Sequence, residues 1–170
     1  MIDDINDLLQ IAHIYHIKIV CRNLHAKNQC FEGYAWPTRK LIVLETTLLS
    51  RPQDYVCILA EEIGHILNPP AFSSVSYHYK DYWKMDCLKR DEAKYQYAKT
   101  ERSALLWATN YLISDEDFWE FAKDGTREWW EWLERFEVPD WFMRWKIGFM
   151  RTKQRFKCRE IISRPPQGGF

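Results

Sequence analysis

The sequence predicts an α+β fold, and three observations predict it. Apolar residues at helical spacing open the chain, a β-branched alternating stretch and a hairpin-like segment follow, and most of what comes after residue 51 reads as helix. The length of 170 residues, 46% of them hydrophobic, suits one domain or one domain with an appendage, with a core that needs no disulfide staples.

Residues 4–16 carry Ile5, Leu8, Leu9, Ala12 and Tyr15 at helical spacing, with Asp4 as the expected cap. Residues 17–23 (IKIVCRN) alternate and are β-branched, which predicts a strand. Residues 32–46 predict a hairpin with its turn near Pro37-Thr38-Arg39 and its second arm from Lys40 to Glu45. These segments together make the expected short antiparallel sheet. Pro52 suits a first helical position, and Val56, Ile58, Leu59, Ile63 and Ile66 continue that helix to about Leu67, where Asn68-Pro69-Pro70 ends it.

Residues 71–90, rich in Tyr and Ser, read as irregular, and a second long helix is expected over roughly 91–113. Acidic residues and tryptophans dominate 115–141, and basic residues dominate 144–159. Short helices are expected at about 115–123, 126–136 and 140–155, punctuated by Gly125 and Pro139. The composition shift sets the expected division: a core over 1–113 and a helical C-terminal subdomain with a basic tail over 114–170.

Lys and Arg number 24, and so do Asp and Glu, so global charge argues for neither nucleic acid nor membrane. Five cysteines, an odd number without a CxxC pair, predict reduced thiols rather than a secreted framework. The acidic start Met1-Ile2-Asp3-Asp4 is unlike a signal peptide, and no apolar run approaches the ~20 residues of a membrane span. A cytoplasmic location without membrane contact is the expectation.

The chemistry-bearing segment is Leu59-Ala60-Glu61-Glu62-Ile63-Gly64-His65. On a helix, Glu61 and His65 lie one turn apart on one face. That is the geometry by which H-E-x-x-H holds zinc, with the Glu after the first ligand serving as base. Glu62 takes the base position, His65 the last ligand position, and Glu61 stands where the first His would be. Two anionic ligands beside one neutral imidazole nearly neutralise a divalent cation, which weakens its acidification of water and admits manganese or another harder cation beside Zn2+. The plain alternative is a solvated Glu61 and a His65 favoured near a helix C-terminus.

The second long helix offers a third ligand. Glu101, Ala104 and Ala108 share one stripe, and small residues beside an acidic one let two helices approach while the carboxylate reaches across. Glu92, with no alanine stripe, is the weaker candidate. An exposed, ion-paired Glu101 is the plain alternative.

Together these segments resemble the ImmA/IrrE family of small metallopeptidases, common in phages and mobile elements. The likeness runs from the hairpin Gly33–Glu45 through Ile58–His65 to Glu101-x-x-Ala104-x-x-Trp107-Ala108-x-x-x-Leu112-Ile113, and more weakly into Trp132–Pro139. The resemblance implies a small gluzincin-like core with a helical appendage. It also implies a zinc-dependent endopeptidase, whose protein substrate is a helix-turn-helix repressor, and a role in transcription regulation. Carried over by position, the metal ligands are Glu61, His65 and Glu101, and Glu62 is the catalytic base that takes a proton from the attacking water and passes it to the leaving amine. The strand before the active helix, through Leu41, Val43 and Glu45, is the candidate substrate-binding edge, by strand addition; a strand paired on both sides is the alternative. A family member that has lost catalysis and sequesters a repressor is the runner-up reading.

Other residues are weighed more briefly. Gly64 costs its helix about 1 kcal/mol relative to Ala, which a close approach of a neighbouring strand or metal explains, as does tolerance near a helix end. His78 is a candidate oxyanion donor from the 71–90 segment. Most of the tryptophans after residue 80 are expected to pack in the core or the subdomain; adjacent Trp129 and Trp130 cannot both face one core, so an exposed one is a candidate partner contact. The basic residues from Arg144 to Arg159 read as a solvated helix end or a mate for the acidic 115–140 stretch, and nucleic acid is not the expected partner.

Overall fold

A computed structural model describes residues 2–27, 31–68, 87–123 and 125–153. Its elements are α1 (Ile2–Ile14), β1 (Lys18–Arg22), β2 (Gly33–Trp36), β3 (Leu41–Glu45), α2 (Pro52–Leu67), α3 (Cys87–Leu112), α4 (Asp115–Lys123), α5 (Trp129–Phe136) and α6 (Asp140–Lys153). The fold class is α+β: helices with one small sheet. The chain divides into two compact units, Met1–Ala108 and Thr109–Phe170, with the division inside α3.

In the first unit the strands run in the order β1-β3-β2. β2 and β3 form the expected antiparallel hairpin, with Tyr34 opposite Val43 and Ala35 opposite Ile42, and a short 3-10 turn at Pro37–Arg39 joins them. β1 pairs with β3 in parallel, Lys18 opposite Leu41 and Val20 opposite Val43. The sheet is therefore mixed, not wholly antiparallel. Parallel pairing needs a crossover, and the 3-10 turn at His25–Lys27 and β2 lie within that connection.

Helix α2 covers one face of this sheet. Strand side chains alternate, so Gly33, Ala35, Ile42 and Leu44 share the covered face, while Tyr34, Trp36, Leu41 and Val43 point the other way. Ala35, Ile42 and Leu44 are buried with Leu48, Leu59, Ala60 and Ile63. Helix α1 packs on α2 through its apolar stripe, of which Leu8 and Ala12 are buried. It starts at Ile2, so Asp4 lies inside the first turn rather than at the cap; an acidic residue there still suits the helix dipole. α2 starts at Pro52, at the predicted first position, and its last residue is Leu67.

α3 starts four residues before the predicted helix, because Cys87-Leu88-Lys89-Arg90 contain neither Gly nor Pro to stop it. The expected irregular stretch 71–86 lies outside the described residues, and so does the tail beyond 153.

The second unit is built on aromatic packing. Trp132 is wholly buried, its ring 4.8 Å from Phe118 and 5.0 Å from Phe121, centroid to centroid. α5 begins at Trp129 rather than 126 because Glu128 caps it: the Glu128 backbone N–H donates to the Glu131 carboxylate in a reciprocal capping box. Lys146 is wholly buried, and its ammonium donates to Asp115 at 2.7 Å and Asn110 at 3.0 Å. Lys153 also reaches Asp115, and Arg144 pairs with Asp140. These described basic residues thus serve as mates for the acidic stretch. Of the tryptophan pair, Trp130 is exposed, and Trp129 donates from its indole to Asp140. No helix among the described residues is long and apolar enough to cross a membrane.

Candidate metal centre

The site lies where α2 meets α3 in the first unit. Glu61 and His65, one turn apart on α2, aim at the same space, and Glu101 reaches it from α3. One donor atom from each of the three lies within 4.8 Å of the other two. The His65 Nε2 is 3.5 Å from a Glu101 carboxylate oxygen. Tetrahedral zinc with bonds of ~2.0–2.2 Å sets its ligand atoms about 3.3–3.6 Å apart, so this spacing suits a shared cation.

Gly64 explains how α3 comes so near. A Cβ built on Gly64 would lie 2.7 Å from the backbone oxygen of Ala104 and 3.1 Å from its Cα. The close approach is thus to the neighbouring helix, not to a strand or metal. Ala104 and Ala108 are both wholly buried, so the small-residue stripe is the contact surface. Glu101 sits one turn before Ala104 and is carried to His65 by that contact.

The Glu62 carboxyl lies against the sheet, where the Ala35 backbone N–H donates to it. Gly33 of β2 leaves room for it: a Cβ there would lie 3.3 Å from the Glu62 Oε1. The side chain is buried, and among the described residues neither its Oε2 nor the Nδ1 of buried His65 has a hydrogen-bond partner. Buried polar atoms without partners are costly, and a base awaiting water and an imidazole awaiting an orienting acceptor would both leave such atoms.

The protein's own charges crowd this space. Burial pushes the Glu61 carboxyl up to about 7, with His65 opposing and Glu101 reinforcing. Burial pushes Glu62 up further, to about 8, although His65 and the Ala35 backbone N–H both oppose the rise. Burial alone would lower His65, but the Glu101 hydrogen bond and the three surrounding carboxylates outweigh it and raise the imidazole to about 9. Two carboxyls and one imidazole, once deprotonated, are a donor set suited to a divalent cation, and its oxygen content suits hard cations as well as zinc.

Tyr97 is the residue that sequence reasoning missed. It lies one turn before Glu101 on the same stripe as Ala104 and Ala108, and its hydroxyl hydrogen-bonds the Glu101 carboxylate. Burial and the nearby Glu101, Glu61 and Glu62 charges push its phenol well above the ordinary value. The i, i+4 spacing to Glu101 was the available signal. His78 and the side chain of Glu92 lie outside the described residues.

The expected substrate edge needs correction. β3 is the central strand, paired by β1 on one side and β2 on the other, so it has no free edge for strand addition. Glu45 is wholly buried and acts in the fold. Its carboxylate accepts from the backbone N–H groups of Leu24, His25 (3.0 Å) and Thr47 (3.2 Å) and from the Thr46 hydroxyl (2.8 Å). Val43 is buried, and with Leu41 it lines the sheet face turned away from α2.

No family model, no curated protein and no solved structure matches this chain.

Proposed function

We propose that the chain is a cytoplasmic, metal-dependent endopeptidase of the ImmA/IrrE kind, acting on a specific regulatory protein such as a helix-turn-helix repressor. The observation that carries this reading is the convergence of Glu61, His65 and Glu101 from two helices, with Glu62 buried beside them. Those three side chains would hold Zn2+, or Mn2+ or another divalent cation. The cation, when bound, supplies Lewis acidity to the scissile carbonyl and to the attacking water.

The remaining steps belong to the chain's own groups. Glu62 takes the water's proton and returns it to the leaving amine; a carboxyl raised toward neutrality is matched to both duties. Tyr97 holds Glu101 in place through its hydroxyl. β2 takes the role first expected of β3. Among the described strands it is an edge strand, packed on α2 with Ala35 beside Glu62, and an extended peptide added along that edge would bring its carbonyl to the base.

The test is elemental analysis of the purified protein beside the His65→Ala, Glu101→Ala and Glu62→Gln variants, with hydrolysis of a co-encoded repressor as the activity assay. Near-stoichiometric metal is expected in the parent and in Glu62→Gln, and little in the two ligand variants. Hydrolysis should fall about 10²–10⁴-fold in Glu62→Gln and stop on chelation. Metal retained without any hydrolysis, but with tight repressor binding, would leave a sequestering module in place of the enzyme. Absence of metal in the parent would remove the proposal.

A further inference from the structure

The sheet face turned away from α2 carries a groove of about 410 Å3 that the proposed peptidase chemistry does not use. Its floor is aliphatic, formed by Val20, Leu41 and Val43. On β2, Tyr34 and Trp36 stand side by side along one wall, both half-exposed. Lys18 and Arg22, on β1, form the opposite wall, and Arg39 closes the Trp36 end with its guanidinium 3.9 Å from the indole centroid. All three cations are exposed. Among the described residues none of them is ion-paired with a carboxylate. The one acidic residue in the three strands, Glu45, spends its carboxylate on Leu24, His25, Thr46 and Thr47.

We propose that this face binds single-stranded nucleic acid, with successive bases on Tyr34 and Trp36 and phosphates on Lys18, Arg22 and Arg39. Charge complementarity selects an anionic occupant, because the groove presents three cations and no acid. The aromatic spacing selects a strand over an acidic peptide. Residues i and i+2 of a strand stand about 6.6–6.8 Å apart on one face, a span that suits neighbouring bases of an extended chain. Aromatic side chains on a sheet face, flanked by cations, are a recurrent way of holding unpaired bases. An acidic peptide has no rings to match that pair. A duplex keeps its bases stacked on one another and out of reach. These residues come from three separate sequence segments, and only the β1-β3-β2 order gathers them. No single stretch of the sequence displays them together.

The experiment is fluorescence anisotropy of the full chain with labelled ten-nucleotide oligo-dT and oligo-U. Duplex DNA, a mononucleotide and a poly-glutamate peptide of ten residues serve as competitors. Lys18→Glu/Arg22→Glu, Tyr34→Ala and Trp36→Ala are the variants, each checked for native circular dichroism. Exposed Lys18 and Arg22 make the charge-reversal variant the one expected to keep its fold. The parent should bind single strands with a log–log salt slope of about −2, three phosphates at ~0.7 each. The charge reversal should weaken binding on the order of tenfold or more and flatten that slope, and each aromatic truncation should weaken it about fivefold or more. Metal chelation should change nothing. Unchanged affinity in the charge-reversal variant would assign any binding to the basic tail and overturn the proposal. Equal competition by duplex, by mononucleotide or by poly-glutamate, or no binding at low salt, would overturn it as well.

Discussion

At the scale of single residues, two glutamates are used in opposite ways. Glu45 lies among donors. Burial pushes its carboxyl up, but the Thr46 hydroxyl and the backbone N–H groups of His25, Thr47 and Leu24 together outweigh burial and hold it at about 2. A carboxyl held below its ordinary value of 4.5 stabilises the fold above that pH, and the contribution is lost as pH falls through about 2. Glu45→Gln should therefore melt at a lower temperature than the parent at pH 7, and the gap should narrow between pH 4.5 and 2; a gap independent of pH would contradict the account. Glu61 lies instead among other acids, and in the proposed metal site its identity would set the cation. Glu61→His should raise zinc affinity relative to manganese, on the order of tenfold or about 1.4 kcal/mol, in a competition monitored by metal content. A preference unchanged by the substitution would mean that Glu61 is not a ligand. The sequence made Glu61, Glu62, His65 and Glu101 legible through their spacing. It left Glu45 misread, because nothing local to β3 announces donors that arrive from residues 24 and 25.

At the scale of elements, the contact between α2 and α3 governs the site. A methyl on Gly64 would meet main-chain atoms of Ala104, which cannot swing aside as a side chain would. Gly64→Ala gains about 1 kcal/mol of helix propensity but forces the helices apart, an overpacking cost of about 1–3 kcal/mol. The expected result is a lower melting temperature together with reduced metal content, since the shift moves Glu101 away from His65. Gly148→Ala in α6 is the control: a Cβ there meets nothing within 4 Å, and the melting temperature should stay level or rise. If both variants behave alike, the close contact is not what limits position 64. The alanine stripe of α3 was legible because helical periodicity and residue size survive in one dimension. The pairing of β3 was not, since a strand's neighbours depend on which segments arrive from elsewhere, and β1 sits some twenty residues upstream of the strand it joins.

At the scale of the whole molecule, the acid-rich cluster would tie the proposed metal uptake to pH. Glu61 is raised to about 7 and His65 to about 9, so two of the three groups that would hold a cation carry protons at neutral pH in part or in full. Binding would have to expel them. The cation concentration for half-loading should fall as pH rises from 6 to 9, by about tenfold per pH unit for each proton displaced. Calorimetry in two buffers of different ionisation enthalpy would count the protons; none released would remove the charge account of the site. The α+β class was legible across the chain, because helical and alternating periodicities change over at residues 17 and 52. The groove on the sheet face turned away from α2 was not, because it exists only once three strands lie side by side.

The strand order also constrains how the chain assembles. β1 and β2 have no contact through a ladder except by way of β3, which is the last of the three to be synthesised. Until β3 has left the ribosome, the amides of the first two strands that face it lack their sheet partner. The hairpin closes over a four-residue turn, whereas β1 must wait for a loop of eighteen residues to close around it, so local closure comes first and the N-terminal strand docks onto a ribbon already made.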